Sequence, residues 1–340
     1  MISRVAEHCL WMSRYLERAE NVARVLDVNQ TLLLDFDMPA EHQWKPLLTI
    51  SGIHDFKDSS AEAVQHHLTW DPDNPCGIIS SIIFARENAR IIREVISADM
   101  WERVNYFYLW MHGADARELY DGDRNGFYSQ VKRINQGFYG IAEGTMSHGE
   151  AWDFFRMGKY LERACQTARI LDVKYHMLLP RPDMINTPID SAHWMAILKS
   201  CSGYEPFHKQ RQSFEAGTAI AEFLIFDPLF PRSIRRCLLY CQEACHRISG
   251  RKRNQPANEA ERVLENLVDW LRLATIDDLV KVGLHESLTK VINTIHEIGE
   301  AIRHTYFDFD QEQVMATLNG AKQTQSQKQG QTQGQMQTSS

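Results

Sequence analysis

The chain has 340 residues, of which 44% are hydrophobic and 24% charged, a composition typical of a soluble globular protein with room for two ordinary domains. Its formal net charge of −7 argues against a nucleic-acid-binding face, because phosphate binding needs a local surplus of Lys and Arg. No uncharged apolar run approaches the roughly 18 to 20 residues of a membrane span, and charges at Arg4 and Glu7 interrupt any secretory signal. We therefore expect a cytoplasmic protein that binds neither nucleic acid nor membrane.

The predicted elements are all helices. The first runs from Ser3 to Leu34, where apolar residues recur at helical spacing, and a loop with Pro39 separates it from a second helix that starts near His42. Further helices are predicted to end at Leu68, to span Ile78 to Ile96, to pass through Trp101 and Leu109, and to span Tyr128 to Met146, the last after a turn-rich patch at Asp121 to Gly126. Alternating β-branched runs bounded by hairpin turns are missing, so the predicted fold class is all-α.

The sequence repeats itself at an offset of 145. Of the 17 positions in Met12–Val28, 11 are identical in Met157–Val173, including the phrase Tyr-Leu-Glu-Arg-Ala. Later segments align at offsets of 156 and 157. We predict two tandem helical-bundle repeats that arose by internal duplication, at 1–146 and 147–310, packed about a pseudo-two-fold axis. The Gln-rich tail at 311–340 lacks the apolar area to offset chain entropy and is predicted to be disordered.

The repeated phrase supplies the first candidate polar site, whose residues are Tyr15, Glu17, Arg18, Tyr160, Glu162 and Arg163. Neighbouring residues on a helix point about 100° apart, so Glu17 cannot form a simple pair with Arg18. Our hypothesis is that Glu17 meets Arg163 and Arg18 meets Glu162 in a buried junction between the repeats. A structural charge network and a functional site both remain open interpretations.

A second candidate is an anion-binding stripe formed by Arg86, Arg90 and Arg93. Guanidinium groups at this spacing can bind a carboxylate or a phosphate. The alternative is a solvated helix face stabilised by local pairs, such as Arg90 with Glu94. The second repeat carries no arginines at the aligned positions, so any anion site here belongs to the first repeat.

Metal and cofactor sites are not predicted. Cys237, Cys241 and Cys245 align at an offset of 156 with three small residues, which favours a close helix seam over a metal site. The patch starting at Asp121 begins like a calcium loop, but its twelfth position is Lys132 instead of a bidentate Glu. No nucleotide fingerprint, phosphate loop or nucleophile elbow occurs.

Three phrases together resemble the bacterial alpha-E family, a helical domain family of unknown function named for a Glu-Arg motif. They are Tyr-Leu-Glu-Arg-Ala, the run Ala85–Arg90, and the run Ser97–Glu102 with Asn105. The resemblance covers nearly all of residues 1 to 310 and implies an all-helical fold whose motif falls on Glu17-Arg18 and Glu162-Arg163. The second repeat departs from the Ala85–Arg90 phrase, carrying Cys241-Gln242-Glu243-Ala244-Cys245-His246 instead.

The resemblance also implies partners. Family members typically accompany, or are fused to, a circularly permuted ATP-grasp ligase and a transglutaminase-like protein, which implies a role in forming or removing amide linkages on peptides or proteins. We expect a helical accessory or scaffold protein of such a system. The alternative is a catalytic or carrier component with a Glu/Arg pocket between the repeats, so the sequence leaves open whether the chain is an enzyme.

Overall fold

The computed structural model describes residues 3–32, 40–53, 55–177, 188–210, 217–251 and 255–308. These residues form helices joined by turns, with no strand among them, so the all-α prediction is confirmed. In the same ranges, no helix is long and apolar enough to cross a membrane. The tail predicted at 311–340 lies outside the described residues.

Fifteen α-helices and one π-helical turn make up the described part. The first seven helices are α1 (Ser3–Leu32), α2 (Ala40–Ile50), α3 (Ala61–Thr69), α4 (Ile78–Ile91), α5 (Ala98–His112), α6 (Ala114–Gly122) and α7 (Arg124–Thr145). The remainder are α8 (Glu150–Met177), α9 (Pro188–Ser200), α10 (Tyr204–Gln210), α11 (Gly217–Phe226), α12 (Ile234–Ser249), α13 (Glu259–Leu273), α14 (Ile276–Val282) and α15 (Leu284–Ile302), with the π-helical turn at Arg303–Phe307.

The predicted end of the fourth helix is wrong. The helix predicted over Ile78 to Ile96 ends at Ile91, because the backbone of Ile92 leaves the helical conformation, with φ −110° and ψ 30°. The extended Ser97 begins the next helix, α5, where its side chain accepts a hydrogen bond from the Met100 amide at 3.2 Å. Ile92 and Ile96 are nonetheless buried in the turn, so the apolar pattern continues past the end of the helix.

The predicted turn-rich patch at Asp121 to Gly126 is mostly helical. Only Asp123 separates α6 from α7, and its side chain accepts a hydrogen bond from the Gly126 amide at 2.9 Å. The Asp and Asn residues that suggested a loop therefore belong to a helix junction, where an Asp cap satisfies an otherwise free amide.

The two longest helices, α1 and α8, pack against each other along much of their lengths at the centre of the molecule. Helices α4 and α7 pack on α1, whereas α12 and α15 pack on α8, and α13 lies against α12 and α15. The buried hydrophobic side chains of the described residues form one connected cluster that includes both central helices. The site described below lies where α1 and α8 cross.

The crossing is close because α8 carries Gly158 there. A Cβ atom on Gly158 would lie 2.1 Å from the carbonyl oxygen of Leu10 and 2.3 Å from Oγ of Ser13. Glycine is therefore required for this approach, since any larger residue would push α1 away from α8. The approach brings the charged residues of the two helices within hydrogen-bonding distance.

Helices α2 and α9, which follow the two central helices in the chain, each pack mainly on the other central helix. Helix α2 packs more extensively on α8 than on α1, and α9 packs more extensively on α1 than on α8. The boundary predicted between residues 146 and 147 falls in the turn between α7 and α8. The division into two repeats stays a prediction.

Candidate functional site

Glu17 of α1 lies at the centre of the molecule and has no solvent exposure. Its carboxylate accepts two hydrogen bonds from Arg163 of α8, from Nε at 2.7 Å and from Nη2 at 2.8 Å. Arg232 donates a third from Nη1 to Oε1 at 3.0 Å. A buried carboxylate with this many charge-assisted bonds is held in one geometry, as a buried charge must be.

Glu162 of α8 makes the reciprocal arrangement with α1. It accepts hydrogen bonds from Nε and Nη2 of Arg18 at 2.7 and 3.1 Å, and from Nε of Arg14 at 3.1 Å. Both cross pairs that the sequence suggested, Glu17 with Arg163 and Arg18 with Glu162, are therefore present. The two Glu-Arg motifs join α1 to α8.

Sequence reasoning missed Arg232, which lies just before α12 and reaches into the centre of the site. Its guanidinium donates to Oε1 of Glu20 at 2.8 Å and to Oδ1 of Asn21 at 2.8 Å, in addition to Glu17. Asn135 of α7 donates to the second oxygen of Glu20 at 2.8 Å. Arg232 therefore connects three side chains of α1 in a network that extends to α7.

The carboxyl groups of the two motif glutamates have low pKa values. Burial alone would raise the pKa of Glu17, but the charges of Arg163 and Arg232 outweigh it and lower the pKa to about 2. Burial likewise opposes the charge of Glu162, and Arg18 and Arg14 outweigh it and lower that pKa to about 2. Both groups are therefore ionised at neutral pH.

This acidity predicts a specific loss of stability in acid. Because the pKa values of Glu17 and Glu162 fall from an ordinary 4.5 to about 2 on folding, their contribution is complete above pH 4.5. It is lost as the pH falls from 4.5 towards 2, by about 3 kcal/mol for each group. Urea unfolding measured at half-unit steps from pH 6 to 2.5 checks this. A free energy of unfolding that stays level across this range would contradict the prediction.

The tyrosines of the candidate polar site flank the ion pairs. The guanidinium of Arg18 lies 5.4 Å from the ring centre of Tyr15, and that of Arg163 lies 5.4 Å from the ring centre of Tyr160. Tyr160 also stacks on Tyr240, and burial raises the pKa of Tyr160 to about 12. Both rings therefore pack as neutral walls beside the guanidinium groups.

Lys159 borders the buried network on the Glu17 side. Its Nζ lies 3.8 Å from the ring centre of Tyr139, whose hydroxyl donates a hydrogen bond to the carbonyl of Ser13 at 3.1 Å. Burial, reinforced by the charge of Arg163, lowers the pKa of Lys159 to about 8. The side of the site around Glu17 is thus closed by packed side chains.

The side around Glu162 is open. A cleft of about 90 Å³ lies beside this carboxylate, and its lining includes Arg14, Arg18, Cys76, Glu162, Cys165 and Arg169. His296 of α15 also lines the cleft and is exposed to solvent. Of the candidate site residues, the structure thus places Arg18 and Glu162 at the cleft, and Glu17 and Arg163 away from it.

Cys165 and His296 lie close together in this cleft, with Sγ 3.9 Å from Nε2. Burial raises the pKa of the Cys165 thiol, and burial together with Arg169 and Arg14 lowers the pKa of His296. Both shifts favour the uncharged forms at neutral pH. The two shifts thus oppose formation of the thiolate that a cysteine nucleophile requires.

The candidate anion-binding arginines make their contacts with neighbouring side chains. Arg86 and Arg90 both pair with Glu87, and the guanidinium groups of Arg86 and Arg93 lie 5.6 and 4.8 Å from the ring centre of Trp101. The partner of Arg90 is Glu87 and not the suggested Glu94, which lies beyond the end of α4. Local pairs and stacking contacts therefore occupy part of the stripe, and anion binding there stays a prediction.

The three cysteines of α12 face the seam with α8. Cys241 lies 3.9 Å from the carbonyl of Met157, and Cys245 lies 3.4 Å from the sulfur of the same residue. Cys237 contacts the carbonyl of Pro231 at 3.5 Å, and all three thiols are buried. Within the described ranges, no group of three His, Cys, Asp or Glu residues is arranged to hold a metal ion.

Comparison with known proteins gives a family and distant relatives. The chain is 24% identical over 319 residues to uncharacterised proteins of Mycobacterium bovis and Mycobacterium tuberculosis, in an alignment that covers 86% of this chain and 35% of each relative. The chain thus spans about a third of the length of the curated relatives it matches. No solved structure matches. The Alpha-E model, described as a predicted alpha-helical domain with a conserved ER motif, matches residues 1–307, so the chain belongs to the Alpha-E family.

Proposed function

We propose that this chain is a helical accessory or scaffold protein of a bacterial system that contains an ATP-grasp peptide or amide ligase and a transglutaminase-like protein. The supporting observation is that the two Glu-Arg motifs are paired with each other, with Glu17, Arg163 and Glu162 buried and Arg18 partly buried at the cleft. Side chains held in this way join two helices and are not free to activate a substrate. In this proposal the role of the motif is structural: it holds α1 and α8 together.

The partners in this proposal come from the resemblance to the alpha-E family, whose members accompany such ligases. The length of the mycobacterial relatives agrees with it, because the region similar to this chain makes up only about a third of each of them. In those proteins the helical region belongs to a larger polypeptide. A scaffold role for the helical region of those relatives would use the same surface that this chain presents.

We also infer that the chain arose by duplication and that the two copies pack about a pseudo-two-fold axis. The reciprocal pairs support this inference, because exchanging α1 and α8 exchanges Glu17–Arg163 with Glu162–Arg18. The crossing agrees as well, since Ser13 and Gly158, which face each other there, align at the offset of 145. In this arrangement, the two reciprocal ion pairs hold the two copies together.

Reconstitution with the proposed ATP-grasp ligase partner, ATP and a peptide pool tests the proposed function. Light scattering after size-exclusion chromatography should show a stoichiometric complex, and mass spectrometry should show the same products with or without an intact cleft. Arg169→Gln is the cleft variant, and Arg262→Gln, on an exposed face, is its control. Failure to form a complex would refute the scaffold. Turnover that collapses only in the cleft variant would favour the catalytic alternative.

A further inference from the structure

The two halves of the site differ at one position that decides how an arginine is paired. In α1, Arg24 pairs with Glu20, the residue four positions before it. In α8, the matching arginine is Arg169, and the residue four positions before it is Cys165. A spacing of four residues places both side chains on one helix face, so Glu20 is the natural partner of Arg24. Arg169 lacks the equivalent carboxylate.

No other described residue supplies that carboxylate. Nη1 of Arg169 donates to the carbonyl of Ile50 at 3.4 Å, and Nη2 lies 3.4 Å from Nε2 of His296. These are long, uncharged contacts, and Arg169 forms no ion pair in the described part of the chain. Its guanidinium therefore retains donors that a negatively charged group could accept.

Space for such a group exists next to Arg169. The position that aligns with Arg232 at the offset of 156 is Cys76, so a thiol stands where the other side of the site has a guanidinium. Cys76 and Cys165 both line the cleft, whose volume is about 90 Å³. A water needs only about 10 to 15 Å³ measured in this way, so the cleft can hold a small group of several atoms.

The cleft also carries excess positive charge. Arg14 and Arg18 share the single carboxylate of Glu162, and Arg169 adds a third guanidinium group. With His296 neutral, the sum is three positive charges against one negative charge, or +2. A negative group is attracted to such a partly enclosed site more strongly than to an exposed surface.

We propose that this cleft binds a carboxylate group, which takes the place that Glu20 occupies on the other side of the site and pairs with Arg169. The ligand is a small carboxylic acid or the free C-terminal carboxylate of a peptide, entering past the exposed His296. A guanidinium matches a planar carboxylate through two parallel hydrogen bonds. This proposal goes beyond the scaffold function and does not depend on any partner protein.

Calorimetric titration of the full chain alone tests the site. The probes are acetate, trialanine with a free carboxyl group, trialanine amide and inorganic phosphate. We expect acetate or trialanine to bind and the amide not to bind. Trialanine binding more tightly than acetate identifies a peptide terminus, whereas equal or weaker binding identifies a small acid. Arg169→Gln should weaken binding about 10-fold to 100-fold, as expected when a charge-assisted pair is lost.

Cys165→Glu is a second, independent test. The new carboxylate lies four residues before Arg169, as Glu20 lies before Arg24, so it should fill the cleft, raise the Tm and abolish acetate binding. Arg262→Gln, on an exposed face of α13 and outside the lining of the cleft, should bind as the parent does. Binding of phosphate alone, or carboxylate binding that survives both Arg169→Gln and Cys165→Glu, would overturn the proposal. These binding measurements use the chain without a ligase. Their outcome is therefore independent of whether the reconstitution with the ligase succeeds.

Discussion

Glu17→Gln should lower the free energy of unfolding by about 3 to 5 kcal/mol, the cost of removing one partner from a buried ion pair. Gln keeps the shape of the side chain but leaves Arg163 and Arg232 without a full negative charge to accept their hydrogen bonds. Urea unfolding followed by circular dichroism at pH 7 measures the loss. Glu62→Gln, which removes an exposed pair with Arg124, is the matched control and should cost less than about 1 kcal/mol.

A double-mutant cycle sharpens this prediction. Arg163→Gln alone should also be strongly destabilising, because it leaves part of the Glu17 charge unpaired. The double variant Glu17→Gln with Arg163→Gln should cost clearly less than the sum of the two single changes, because no buried charge of this pair is then left alone. Strictly additive losses would show that the two side chains do not depend on each other, contrary to their bidentate contact.

Gly158→Ala should lower the free energy of unfolding by about 3 kcal/mol, at the upper end of the usual cost of overpacking a core. The added methyl group would meet the Leu10 carbonyl and Ser13 Oγ at less than 2.5 Å, and the backbone atom cannot move without shifting α1. Separating the helices would also lengthen the bonds between Glu17 and Arg163. Thermal and urea unfolding of the variant provide the measurement.

Gly140→Ala is the control for the close approach. Gly140 lies in α7 and is exposed, and a Cβ there would meet nothing within 4 Å. Because Ala favours helix over Gly, this change should stabilise the protein by roughly 0.5 to 1 kcal/mol. Equal effects at both glycines would mean that helix propensity, and not the crossing of α1 and α8, decides the outcome.

The centre of the fold could be predicted because the same phrase occurs in both long helices. A helix fixes the angle between neighbouring residues, so Glu17 could not pair with Arg18 and required a partner on another helix. The second copy of the phrase offered Arg163. The prediction therefore depended only on helix geometry and on charge, and the contact in the structure agrees with it.

Arg232 could not be predicted in this way. It lies in a turn, and the position that aligns with it in the first half is Cys76, so the comparison of repeats gave no sign of a charge there. Only the three-dimensional arrangement brings it next to Glu20. The importance of Arg169 was visible in principle, since Glu20 and Cys165 stand at matching positions, but the empty space beside it depends on packing that a sequence does not specify.

Helix ends were predicted less well than helix centres for a related reason. The apolar residues Ile92 and Ile96 continue the helical pattern through a turn, because a buried turn needs apolar side chains as much as a helix does. Helix α4 ends where the backbone of Ile92 leaves the helical conformation, a change that the apolar pattern does not mark.

The packing of α2 mainly on α8, and of α9 mainly on α1, has a consequence for biosynthesis. When the first 146 residues have left the ribosome, α2 still lacks the α8 surface on which it packs, and Glu17 still lacks Arg163. The nascent chain at that stage cannot complete its core, and it must wait for translation of the second long helix. A fragment expressed as residues 1–146 should therefore depend on chaperones or on a separately supplied second fragment.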